Sequence, residues 1–440
     1  MFGYSMVQMV RNHANKLEKP LRDEILHIYR PFKWTPCFMH RMVERYVKKN
    51  KKLSVIIEFE EYYYEADCIK VHEIMERHSK CKVRHDFSRV CCCSAEVSLS
   101  GLEDMLENCT HIRKVYLNRE VRTCLDVAVG SARAQNIVRK GKTLTGKGTT
   151  IAIIDTGIHP HQDLEGRITG FVDFVNDRVT PYDDNGHGTH CAGDAAGNGQ
   201  ASRGKYRGPA PEANVVGVKV LDKMGAGSLE TVMKGVEWCI QHNTDNPDVR
   251  IDIISMSLGS SPQTFSDENE DPMVKIVEAA WAEGIVVCAA AGNEGPEPKT
   301  IASPGLSDKV ITVGAYHDQG TADERTDDEV AKFSSRGPTI YAVVKPDILA
   351  PGVDITSLRS PGSFIDKAQK MNRVEENYFT MSGTSMATPI CAGVIALMKE
   401  ADPVASPDII KSRLLKGADR KSGMDPNIYG HGYLNAEKSI

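Results

Sequence analysis

Three short stretches hold residue types that could make and break covalent bonds. Tyr378–Pro389 reads YFTMSGTSMATP, a glycine-permitted turn that opens a helix with Ser385 at its start. A serine there is either an N-cap or a nucleophile whose developing charge faces converging backbone N–H groups. The choice depends on whether the chain also supplies a base and an acid to orient it. Asp155-Thr156-Gly157 follows an apolar strand and could hold a carboxylate in one geometry, or simply form a turn. His187 lies in Asn-Gly-His-Gly-Thr-His-Cys, where flanking glycines let the backbone turn tightly around the ring. His187 and His190 stand three apart, but no glutamate lies between them, which disfavours zinc and makes His190 a packed structural histidine. Asn293, in Ala-Ala-Ala-Gly-Asn-Glu-Gly, is placed to donate to an oxyanion or to form an Asn turn.

These residues need a frame. From about residue 124, glycine-rich turns separate apolar strands at 149–154, 215–221, 251–256, 284–290 and 310–316. Helical stretches at 230–241, 272–283, 385–400 and 407–415 alternate with them. Near-continuous apolar strands between helices predict an α/β domain with a mostly parallel sheet covered on both faces. Its active site is expected beyond the carboxyl ends of the strands.

Residues 53–121 predict a β-α-β-β-α-β, ferredoxin-like unit: strands at 54–59, 83–87, 92–97 and 112–121, and helices at 69–78 and 102–106, the second opened by Ser100 or Gly101. Residues 1–52 predict two helices, His13–Tyr29 and Phe38–Val47, with the lysine-rich run 49–52 as a boundary. The expected division is therefore 1–52, 53–123 and 124–440.

Composition bounds the function. Hydrophobic residues at 41% and charged residues at 26% are ordinary for a globular chain. No apolar run is long enough to span a membrane, and the first residues lack a basic-then-apolar export signal. The first 123 residues hold 22 Lys/Arg against 17 Asp/Glu, and the remainder 32 against 42, so the two segments are expected to dock. The overall charge of −5 argues against a nucleic-acid surface. Twelve cysteines, three of them consecutive at 91–93, make a poor disulfide framework and point to free thiols in the cytoplasm. Cys37 with His40, and Cys81 with the triple cysteine, lack the paired spacing of a zinc site.

The order Asp…His…Ser is that of the subtilisin triad. With Ser257-Leu258-Gly259, Phe333–Pro338 and Lys345–Gly352 also matching, residues 124–440 resemble the subtilisin-like serine proteases, or subtilases, and from Met1 onward the chain is most similar to an intracellular type of Bacillus-like bacteria. The resemblance implies a subtilisin-like fold and a serine endopeptidase in which Ser385 attacks the peptide carbonyl through an acyl-enzyme, His187 moves the proton and Asp155 orients the imidazole. It implies that Asn293 and the Ser385 N–H hold the oxyanion, that Ser257, Leu258 and Gly259 pair with an extended polypeptide substrate, and that Ala290, Ala291 and Gly292 wall the pocket before the scissile bond. It implies that 53–123 is a propeptide-type domain, an intramolecular inhibitor and chaperone, with a processing region near Asn118–Asp126. No cofactor is expected for the chemistry; Asp163 and the loop 197–200 correspond to structural calcium positions in that family. Two stretches depart from it, an insertion at Ser360–Asn377 and an acidic loop at Pro262–Asp271; either would rim the groove or be solvated. A non-catalytic binding module is disfavoured by the complete triad; a peptide ligase or acyl transferase using the same acyl-enzyme stays open.

Overall fold

The structure is a computed structural model that describes residues 5–29, 40–78, 80–118, 120–123, 131–264, 270–319, 321, 325–420 and 422–440. Two compact units divide the chain. The first comprises residues 1–119 with 263–265, the second 120–262 with 266–440.

The first unit is built on an antiparallel sheet of β1 (Lys52–Phe59), β2 (Lys82–Phe87), β3 (Cys92–Ser98) and β4 (Ile112–Leu117), in the order β2-β3-β1-β4. Two helices, α4 (Tyr64–Arg77) and α5 (Leu99–Asn108), complete the split βαβ pattern. Ahead of them run α1 (Ser5–Asn12), α2 (Lys19–Tyr29) and α3 (His40–Asn50). Of the helix expected over 13–29, only Lys19–Tyr29 is helical, as α2; α1 lies ahead of the expected span. Pro20 cannot sit inside a helix and instead occupies the first turn of α2. The intervening Leu17 forms a parallel bridge to Val115. Met6, Met9, Leu21 and Ile25 share one apolar core with Val55, Ile57, Val71 and Leu102. Around the lysine run, only Lys51 separates α3 from β1, with Lys48 paired to Glu103 and Lys52 to Glu96. The cap of α5 is Ser98, whose hydroxyl accepts from Gly101 N, rather than Ser100 or Gly101. The first two residues of the helix expected over 38–47, and Cys37 of the Cys37–His40 pair, lie outside the described residues. Cys81 bonds Ser98 instead of the cysteine run. The ten described cysteines are free thiols.

The strand expected over 112–121 ends at Leu117, and Glu120–Thr123 forms a separate strand, β5, grouped with the second unit. There a hairpin of β6 (Val138–Arg139) and β7 (Lys142–Thr143) precedes the main sheet. That sheet contains β8 (Thr150–Asp155), β9 (Ile168–Asp173), β10 (Asn214–Lys219), β12 (Ile253–Met256), β14 (Val286–Ala290) and β15 (Ile311–His317). They run parallel in the order β15-β14-β12-β8-β10-β9. Two further strands flank β15: β16 (Glu329–Val330), antiparallel, and β17 (Ile348–Pro351), parallel. The helices α6 (His187–Ala196), α7 (Leu229–Asp245), α8 (Pro272–Ala282), α10 (Thr384–Ala401) and α11 (Pro407–Gly417) cover it.

Two smaller sheets lie beside the main one. In the first, β5 runs between β11 (Ala226–Ser228) and β13 (Leu258–Gly259), antiparallel to both. The second joins β18 (Ile355–Leu358), β19 (Arg373–Val374) and β20 (Tyr378–Met381), with the short α9 (Phe364–Ala368) before β19. The insertion Ser360–Asn377 is therefore ordered structure. Of the loop Pro262–Asp271, residues 265–269 lie outside the described residues. No described helix is long and apolar enough to cross a membrane.

Candidate active site

The polar residues singled out in the sequence gather where the parallel strands end. Asp155 is the last residue of β8, fully buried, and its Oδ1 accepts from Thr156 N at 2.7 Å. His187 opens α6, also fully buried, and its Nδ1 lies 2.8 and 2.9 Å from the two Asp155 carboxylate oxygens. Gly188 permits this approach: a Cβ there would lie 2.2 Å from the Gly157 carbonyl oxygen and 3.1 Å from Asp155 Cβ. Burial alone would push the His187 imidazolium pKa down. The Asp155 carboxylate outweighs it, and the net shift is well upward.

The turn before His187 depends on Asp183, which sequence reasoning missed. This buried carboxylate accepts from Gly186 N, Asn185 N and Thr156 Oγ1 through Oδ1, and from Thr189 N and Oγ1 through Oδ2. It thereby satisfies helix-start N–H groups that have no intrahelical partner. The only signal in sequence was an acid four residues before the histidine. The insertion braces the same turn from outside: Phe364 N donates to Asp184 O, Ile365 N to Asn185 O, and Ser360 Oγ to Asp183 O.

Ser385 is the second residue of α10. Five residues into the helix, Pro389 lacks the N–H that would bond the Ser385 carbonyl. The orphaned oxygen accepts instead from Ser257 Oγ at 2.6 Å, with Cys191 Sγ at 3.5 Å. In return, Ser385 Oγ donates to Ser257 O at 3.2 Å. This reciprocal pair locks the start of α10 to the residue that follows β12. Cys191, one turn into α6, also lies 3.8 Å from His187 Nδ1 and 3.9 Å from Asp155 Oδ2. Burial pushes its thiol pKa up to about 12.

Asn293 follows β14. Its Oδ1 accepts from Thr384 N and Thr384 Oγ1 at 3.0 and 3.1 Å, and Thr384 Oγ1 accepts from Gly292 N. The start of α10 thus holds the Asn293 oxygen. Ala290 and Ala291 are buried beside it, and Gly292 has φ +105. Leu258 and Gly259 stand opposite Thr123 and Arg122 of β5.

Two further expectations concern side chains away from this cluster. His190 is a packed histidine: Nδ1 pairs with Asp194 at 2.9 Å, and Nε2 meets the carbonyls of Phe379 and Ile355 at 3.0 and 3.2 Å. Asp163 is fully buried. Its Oδ1 accepts from Ala201 N and its Oδ2 from Tyr378 OH, both at 2.7 Å. The Arg167 guanidinium occupies the carbonyls of Asp163, Ala196 and Ala213.

A buried Asp–His pair thus closes β8, and a serine opens α10 beside β12. The subtilase family model matches residues 146–432, and the chain belongs to that family of serine proteases. It is 59% identical over 440 residues to the serine protease AprX of Bacillus subtilis, covering 100% of this chain and 99% of that one. It is 32% identical over 357 residues to a thermostable alkaline protease of Halalkalibacterium halodurans, covering 81% and 85%. Among solved structures, fervidolysin from Fervidobacterium pennivorans, a keratinolytic enzyme related to subtilisin, matches with TM-score 0.68 at 20% identity. That match spans 88% of this chain and 61% of the other, and concerns the fold.

Proposed function

We propose that the chain is a serine endopeptidase made as an autoinhibited precursor, with Asp155, His187 and Ser385 as its triad. Ser385 Oγ leaves the Ser257 carbonyl by rotation about χ1, gives its proton to His187 and attacks the substrate carbonyl. His187 then protonates the leaving amine, and water resolves the acyl-enzyme by the same route reversed. Asp155 holds the imidazole with its proton on Nδ1 and stabilises the imidazolium. The Asn293 amide and the Ser385 N–H receive the oxyanion, and Thr384 aims Asn293 before substrate arrives.

The observation that carries the reading is the placement of β5. An extended segment of this chain pairs on both sides, with β11 and with β13 beside the nucleophile's partner Ser257. Such a two-sided ladder recognises backbone, as β-augmentation does, and suits a polypeptide substrate. By this reading residues 120–123 occupy the substrate's place until the chain is cut near 118–126, of which 119 and 124–126 lie outside the described residues. The free thiols fit residence in the cytoplasm.

The test compares the wild-type chain with Ser385→Ala, each with a serine-directed fluorophosphonate. Labelling and self-cleavage confined to wild type are expected, with labelling increasing after the cut. Equal behaviour of the two chains refutes the triad; full labelling of uncut wild type refutes autoinhibition.

A further inference from the structure

Away from the protease site, the N-terminal unit gathers three side chains of metal-binding type. Cys68 and His72 stand four apart on α4 and so share one face. Asp86 reaches the same point from β2. Cys68 Sγ lies 3.4 Å from Asp86 Oδ1, and His72 Nε2 lies 3.1 and 3.3 Å from the two carboxylate oxygens. All three ligand atoms fall within 4.8 Å of one another. Zinc bonds of about 2.0–2.3 Å place neighbouring corners of a tetrahedron roughly 3.3–3.7 Å apart. The Cys68–Asp86 edge of 3.4 Å falls in that range and the His72–Asp86 edge of 3.1–3.3 Å lies at its lower end.

We propose that Cys68, His72 and Asp86 form a binding site for Zn²⁺ or a similar borderline transition-metal ion in the N-terminal unit. Beside the His72–Asp86 pair, the Cys68 thiol donates to the same carboxylate, so all three groups meet at one point. The donor set of sulfur, nitrogen and oxygen selects zinc-like ions over calcium or magnesium. Cys68 is nearly buried, while the side chains of His72 and Asp86 are 45% and 43% exposed, so the fourth corner opens to solvent for entry and for a water ligand. Tyr64 and Cys93 lie next to Cys68 on the protein side. On binding, Cys68 loses its proton to solvent and forms the Sγ–metal bond, and His72 binds as neutral imidazole through Nε2.

The test uses the full chain carrying Ser385→Ala, stripped with a chelator and titrated with Co²⁺. The expected result is one tight equivalent with a thiolate-to-cobalt charge-transfer band, bleached by one equivalent of Zn²⁺. Cys68→Ser should lose the band. Cys191→Val, which removes the thiol beside His187, should keep it. The half-exposed His72→Ala, whose folding does not depend on a buried contact, should weaken Zn²⁺ binding by more than about 10-fold. Absence of a saturable equivalent, an unchanged cobalt spectrum in Cys68→Ser, or undiminished zinc affinity in His72→Ala overturns the proposal.

Discussion

Asp366 offers the sharpest test of how the insertion supports the site. Its side chain is 3% exposed and faces two arginines. Arg359 grips both oxygens, Nε to Oδ1 at 2.6 Å and Nη2 to Oδ2 at 3.1 Å. Arg373 Nε adds a bond at 2.7 Å and Gly362 N one at 2.9 Å. Burial alone would raise the carboxyl pKa; these donors outweigh it and lower it from 3.8 to about 2. That fall corresponds to about 2.5 kcal/mol in favour of the charged form. Asp366→Asn should therefore cost about 2–3 kcal/mol at pH 7, read from denaturant unfolding of the larger unit in a Ser385→Ala background. A depressed folded-state pKa contributes stability that is complete above the unfolded value and disappears as pH falls through about 2. The two proteins should thus diverge fully at neutral pH and converge near pH 2. Because α9 holds the carbonyls of Asp184 and Asn185, the same substitution with Ser385 intact should lower kcat, by up to about 100-fold if His187 shifts by an ångström. A stability difference below about 0.5 kcal/mol at pH 7, or one equally large at pH 2, refutes this account.

Other outcomes follow from the cleft. Asn293→Ala should reduce kcat by about 100- to 1000-fold with little change in KM, measured on a chromogenic peptide. Because the His187 pKa is raised, the acid limb of the kcat/KM profile should lie above the ordinary histidine value near 6.5, with activity lost as pH falls through it. A limb at or below that value contradicts the pairing with Asp155. Ser257→Ala leaves the Ser385 carbonyl without its hydroxyl donor and should cost about 1–3 kcal/mol on unfolding. Met386, fully buried next to the nucleophile, should on conversion to the polar sulfoxide reduce turnover; full oxidation with unchanged kcat would sink that idea.

Much of this arrangement was legible because glycines and strand ends mark chemistry locally. Asp155, His187, Asn293 and Ser385 each sit in a turn whose neighbours announce a tight approach, and apolar runs placed β8, β10, β12, β14 and β15. Residues acting across the fold left no such mark. Thr384 orients Asn293 from 91 positions away, and Lys219, buried, donates to Thr156 O, Leu221 O and Asp184. Neither role follows from the residues beside it. Strand β9 went unpredicted because its side chains are mostly half-buried at the sheet edge and show no continuous apolar run. The Arg167 guanidinium among the carbonyls of Asp163, Ala196 and Ala213 likewise left no mark in the residues around Asp163.

Strand β5 has a kinetic consequence. It is covalently joined to the unit it pairs with, so it meets β11 and β13 at an effective concentration set by its tether, of millimolar order for a short linker. A diffusing peptide with the same backbone contacts must exceed that concentration to enter. Under the autoinhibition proposed above, a cut on the C-terminal side of β5 turns this unimolecular equilibrium into a bimolecular one, and dilution alone then releases the strand with no change in any contact it makes.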